Sequence, residues 1–165
     1  MEEMGREAME KAKLFLACGE EEAGVVSELA ALPRRRQFPS LFEGLFLRGM
    51  KIDRMEPGLV VYSFKVPPRL TDSNGTLSPG AIADLLDVAG GSATLSYGLP
   101  VQVTVNLAIQ YLSSAKIDEE LEMTARFLKN VGIHSYTSIH LRSKTTGELV
   151  ACCQQLCSLK PRSKI

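Results

Sequence analysis

Beyond residue 47 the chain holds one long helical stretch, Ser78 to Leu95, and almost everything else there reads as strand or turn. Ser78 supplies a capping hydroxyl, and Pro79 suits a first helical position, where no N–H is needed. At 100° per residue Ile82, Leu85, Leu86, Ala89 and Ala93 share one apolar face. Asp87 falls off that face, beside a flank of small residues: Ala83, Gly90, Gly91 and Thr94. Two adjacent helical glycines cost roughly 1 kcal/mol each against alanine. A close approach by another backbone or a ligand accounts for them better than chance. Asp87, next to that thin flank, is the leading candidate for chemistry.

The segments around this helix alternate with period two. Leu47–Met55 and Leu59–Val66 flank the turn signal Glu56-Pro57-Gly58, with Val60, Tyr62, Phe64 and Val66 on one face. After Gly98-Leu99-Pro100, the residues Val101, Val103, Val105, Leu107, Ile109 and Tyr111 alternate with more polar ones. Strands are further expected over 120–129, 133–144 and 148–159, joined by turns at Asn130-Val131-Gly132 and Thr145-Thr146-Gly147. Short connections imply antiparallel pairing. The economical arrangement is α+β, a curved antiparallel six-stranded sheet wrapped around one long central helix. This domain is expected over 40–160. A helical leader and linker precede it over 1–39, and 161–165 form a tail.

Composition narrows the function classes. The 165 residues suit one domain with a real core, and the 19 basic and 19 acidic side chains balance. With no basic excess and no Trp, nucleic acid is not an expected partner. No run approaches the roughly 18 apolar residues of a membrane span. Cys18, Cys152, Cys153 and Cys157 fit no zinc or redox spacing and read as small hydrophobes in a reducing compartment. His134 and His140 share a strand face with no third ligand evident, so they read as surface or interface residues. The N-terminus lacks a secretory pattern, and its acidic residues argue against a transit peptide. The terminal Ser163-Lys164-Ile165 differs from the peroxisomal Ser-Lys-Leu only in its last aliphatic residue, so the expected location is peroxisome or cytoplasm.

Three stretches in this order resemble the hotdog-fold acyl-CoA thioesterases, the group of the phenylacetate-pathway enzymes and their eukaryotic relatives. They are Leu70-Thr71-Asp72-Ser73-Asn74-Gly75-Thr76-Leu77 leading into Gly80-Ala81-Ile82-Ala83, then Leu85-Leu86-Asp87, then Val103 to Lys116 on the following strand. The resemblance implies hydrolysis of an acyl-CoA by water at a subunit interface of a homodimer or homotetramer, with neither metal nor redox cofactor. Asp87 would orient or deprotonate the water and Thr104 would help hold it. Backbone N–H groups at the helix start would stabilise the oxyanion, aided by the helix dipole. Two positions depart from the family pattern. Its His-Gly-Gly at the helix start is Ser78-Pro79-Gly80 here, and Pro79 has no N–H to give. Its loop Asn is Asp72, an acceptor when ionised. Asn74 and the Gly80 N–H are the expected replacements. Ser78 reads as a helix cap, since no Gly-x-Ser-x-Gly elbow surrounds it. Lys116, Arg126, Lys129, Arg142 and Lys144 are candidates for the phosphates of coenzyme A. The alternative is a hotdog protein that binds acyl-CoA or acyl chains without efficient turnover; a hotdog dehydratase fits less well, for want of a His near the helix start.

Overall fold

The computed structural model describes residues 41–159 together with Met9, Glu10 and Lys13. Apart from those three positions, the expected leader and the whole 161–165 tail, with its Ser-Lys-Ile ending, lie outside the described residues. Phe46 begins a compact unit that contains every described strand and the long helix.

A short helix α1 (Leu41–Leu47) opens the described chain, and β1 (Lys51–Glu56) and β2 (Leu59–Lys65) form a hairpin. β1 starts later than its pattern suggests. Leu47 closes α1, Met50 N–H bonds back to the Leu47 carbonyl at 3.0 Å, and Gly49 turns the chain at φ +96°. The hairpin reverses at Pro57-Gly58, where Gly58 takes φ +76°, a conformation costly to any residue with a Cβ. Along β2, Val60, Tyr62 and Phe64 are buried and their neighbours are not, as the alternation requires. A short 3-10 turn (Pro68–Leu70) leads into the long helix α2 (Pro79–Ser96). Four strands follow: β3 (Val103–Tyr111), β4 (Glu120–Val131), β5 (His134–Ser143) and β6 (Leu149–Ser158). The β4–β5 turn is tighter than expected. β4 continues through Val131, and Gly132-Ile133 alone turn the chain, with Gly132 at φ +62°.

All pairs are antiparallel, in the order β1-β2-β4-β5-β6-β3. The single sheet curves over α2, which packs on β2, β3, β4, β5 and β6. Ile82, Leu85, Leu86, Ala89 and Ala93, the face expected from the periodicity, are all at most 3% exposed. They meet Leu121, Met123, Ile139 and Leu141 from the sheet. Leu86 is 0% exposed, so Leu86→Ala is expected to cost about 2–5 kcal/mol through lost transfer energy and a residual cavity. Chemical denaturation with an unchanged slope would register it; a loss under about 1 kcal/mol would mean that α2 collapses into the gap.

β3 lies at the open edge beside β6, and here the simple alternation fails. Thr104 pairs with Cys157, but the next pair is Asn106 with Leu156, leaving Val105 as an inserted bulge residue. A strict period of two would set Thr104 on the face opposite Leu107 and Ile109. The bulge shifts the parity, so Thr104 joins them on the side facing α2. The expected apolar face therefore splits: Leu107 and Ile109 pack on the core, while Val101, Val103 and Val105 are exposed.

Candidate active site

Three side chains from three elements meet at the middle of α2. Thr104 Oγ1 donates to Asp87 Oδ1 at 2.6 Å, joining β3 to the helix. From β6, Gln155 Nε2 reaches Asp87 Oδ1 at 2.7 Å, Thr104 Oγ1 at 2.9 Å and the Asp87 main-chain carbonyl at 3.1 Å. Gln155 Oε1 in turn accepts from Thr137 Oγ1 of β5 at 3.0 Å. Gln155 and Thr137 are fully buried, Asp87 is half-buried and Thr104 is exposed. The cluster thus has a buried, hydrogen-bonded rear and an open front. No hydrogen bond to Asp87 Oδ2 is found among the described residues.

The helix pattern singled out Asp87, the family resemblance set Thr104 beside it, and both missed Gln155. A signal existed: Ala151, Cys153, Gln155 and Cys157 lie on one face of β6 by period two, so an uncharged polar group stands in a line of small apolar ones. The glycine flank supplies the other half. A Cβ built on Gly90 would lie 1.9 Å from Gln155 Oε1 and 2.9 Å from Thr137 Oγ1. Gly90 is therefore the close-approach glycine the pattern suggested, and what approaches it is the Gln155 amide. A Cβ on Gly91 would meet nothing within 4 Å.

The start of α2 lies two turns away. Ser78 Oγ accepts from the Ala81 N–H at 3.3 Å, so Ser78 is the cap. Gly80 is exposed, and Tyr111 at the end of β3 donates to the Pro79 carbonyl at 3.1 Å. In the preceding loop the Asp72 carboxylate accepts from the main-chain N–H groups of Asn74 (2.9 Å) and Thr76 (3.0 Å) and from the Thr76 hydroxyl (3.0 Å). These bonds, the Thr76 N–H foremost, hold its carboxyl below the usual carboxylate range. Asp72 thus spends its charge organising its own loop, and Asn74 is exposed at that loop. The loop is anchored by Leu77 N–H to the Ala115 carbonyl at 2.8 Å.

Other ionisable groups near Asp87 are poor nucleophiles. Burial, then the Asp87 charge, pushes the Cys153 thiol up to about 11, and burial also raises Cys157. Thiols shifted that way stay protonated near neutral pH. Asp84, one turn before Asp87, has its carboxyl raised by burial first and by the Asp87 charge second. Cys152 points away from α2 and bonds Gln110 Oε1 at 3.1 Å, as neighbours on a strand should diverge. His134 and His140 share the outer face of β5. Lys116, Arg126, Lys129, Arg142 and Lys144 are exposed. Lys144 pairs with Asp53 at 3.4 Å, and Lys129 lies over the Tyr136 ring.

One long helix held by a curved antiparallel sheet, in this strand order, is the hotdog architecture. A model of the thioesterase superfamily matches residues 74–150, which contain the cap, Asp87 and Thr104. Human acyl-coenzyme A thioesterase 13 is 38% identical over 97 residues, covering 58% of this chain and 69% of that protein. Among solved structures, mouse thioesterase superfamily member 2 superposes with a TM-score of 0.65 at 32% identity, covering 69% of this chain and 84% of that one. The zebrafish thioesterase superfamily member 2 superposes at 0.68 with 25% identity, covering 87% of this chain and all of that one. The chain belongs to the thioesterase superfamily.

Proposed function

We propose that the protein hydrolyses acyl-CoA thioesters to the free acid and coenzyme A, with Asp87 activating the attacking water. The observation that carries this is the Asp87–Thr104 pair: a carboxylate restrained by hydrogen bonds on one oxygen and open on the other. The human relative's name, acyl-coenzyme A thioesterase 13, supports the substrate class. Thr104 gives its proton to Asp87 and accepts from Gln155, so its remaining lone pair suits a water hydrogen. The mechanism needs no protein nucleophile. Asp87 takes a proton from the water as the water oxygen attacks the thioester carbon, and the carbonyl oxygen gains charge. Collapse of that intermediate forms the acid and expels the coenzyme A thiolate, which takes the proton from Asp87.

The oxyanion donors in this reading are the Gly80 N–H, at the positive end of the α2 dipole, and the Asn74 side-chain amide. Within one copy Gly80 sits seven residues before Asp87, about 10 Å along the axis. Base and oxyanion donor must converge on one carbonyl carbon, and a separation of this size within one copy supports a site shared between two copies. The open front of Asp87 and the exposed Val103, Thr104 and Val105 on an edge strand paired on one side only support the same arrangement. The homodimer of this reading joins β3 edges and sets the loop of one copy against Asp87 of the other.

A second reading has a specific basis. Pro79 cannot donate, and Asp72 is tied into its own loop, so a protein that binds acyl-CoA with little turnover also fits. Thiol release from hexanoyl-, dodecanoyl- and phenylacetyl-CoA, with calorimetry on a non-hydrolysable thioether analogue, separates the two. Turnover at or above about 1 s⁻¹ is the ordinary enzyme range and bears out the hydrolase. Tight analogue binding with no thiol release sinks it in favour of the binding protein.

A further inference from the structure

We infer that Gln155 is the positioning residue of the catalytic carboxylate: it fixes Asp87 so that Oδ2, and not Oδ1, takes the proton from water. The inference rests on the thioesterase reading above and deepens it. Oδ1 already accepts from Thr104 Oγ1 and Gln155 Nε2, at 2.6 and 2.7 Å. Two short donors occupy the lone pairs that a water would need on that oxygen. Oδ2 is left without a hydrogen-bond partner among the described residues.

The orientation of the Gln155 amide is itself determined. Thr137 Oγ1 donates to Oε1 from inside the sheet, which turns Nε2 toward Asp87 and Thr104. The reversed amide would set Oε1 against Asp87 Oδ1, acceptor against acceptor. Gln155 also reaches the Asp87 main-chain carbonyl at 3.1 Å, so one side chain locates both ends of the residue. Gly90 completes the device. Its missing Cβ is what lets the amide lie against the helix, since a methyl there would overlap Gln155 Oε1 at 1.9 Å. Gln155 touches neither water nor substrate in this scheme; it acts through Asp87.

Three variants of the full chain test this with dodecanoyl-CoA as probe. Gln155→Glu keeps the shape but turns a donor toward Asp87 into an acceptor. Gln155→Met removes the donor and keeps the volume. Gly90→Ala leaves Gln155 in place chemically but pushes it off its seat. Each is expected to lower kcat by about 100-fold, as a small misplacement of a catalytic group does, with KM within about threefold. A merely structural Gln155 predicts kcat and melting temperature falling while KM rises, or no kcat change in any variant that folds. Should the buried Glu prevent folding, Gln155→Met, which adds no charge, and Gly90→Ala decide. Wild-type kcat in folded Gly90→Ala and Gln155→Met overturns the inference while leaving the hydrolase intact, provided Asp87→Asn is inactive. Equal activity of wild type and Asp87→Asn takes Asp87 out of the chemistry and the inference with it, whereas tight binding of the thioether analogue with no thiol release overturns the hydrolase reading itself.

Discussion

Asp87→Asn is expected to lower kcat for acyl-CoA hydrolysis by about 10²–10⁴-fold, the usual worth of a positioned general base. The substitution is nearly isosteric, and the site indicates how the amide will sit. Thr104 and Gln155 both donate toward the Oδ1 position, so the amide oxygen belongs there and the NH₂ group takes the place of Oδ2. That group cannot accept a proton from water. The two donors of the rear wall remain satisfied, so the fold should survive with a melting temperature within a few degrees of wild type. Substrate contacts elsewhere are untouched, which predicts a change in kcat with little change in KM. Steady-state thiol release on matched preparations measures both. A variant that retains wild-type kcat removes Asp87 from the chemistry, and neither Cys153 nor Cys157 is a ready substitute, because burial pushes both thiols up.

That Asp87 was legible in the sequence follows from helix geometry alone. A strong cap, a proline at the first position and five apolar residues at helical spacing determine which way α2 faces, and an acid off that face must be explained. The core of β2 was legible for the same reason, with period two in place of 3.6. Thr104 was different. The family resemblance pointed to it, but its side was not legible, because the Val105 bulge reverses the parity of β3. A bulge depends on how β3 pairs with β6, a contact between segments some fifty residues apart. Local pattern carries no record of that register. Gln155 was hidden by a second ambiguity. Gln154 and Gln155 are adjacent and identical, and only the strand's parity tells the exposed one from the buried one. The paired observation, a glycine in a helix and a polar residue on an apolar strand face, becomes informative once the two elements are known to touch. The Asp72 loop shows the limit of reading by analogy. The residue that takes the place of a donor is not a damaged oxyanion contact; it is an acceptor that shapes the turn beside Asn74.

If donor and base come from different copies, two inactive variants should repair each other. Asn74→Ala removes the side-chain donor and is expected to lower kcat by about 10²–10³-fold, the cost of one oxyanion donor. Its loop should hold, since Asp72 bonds the Asn74 main-chain N–H, which alanine retains. Asp87→Asn is inactive for the separate reason above. In a twofold dimer each site takes its loop from one copy and its carboxylate from the other. Random mixing of the variants in equal amounts makes half of the dimers mixed. Each mixed dimer holds one site with both residues intact and one with neither, so activity should return to about a quarter of wild type. Refolding the two chains together, or expressing them together with different tags, allows the exchange, and the tags confirm that mixed dimers form. A mixed preparation no more active than Asn74→Ala alone places loop and carboxylate in the same copy. Full activity of Asn74→Ala by itself takes Asn74 out of the oxyanion site and leaves the Gly80 N–H as the remaining donor at the start of α2. The distinction matters for substrate choice, because in a site shared between copies the partner's side chains would help to line the acyl pocket.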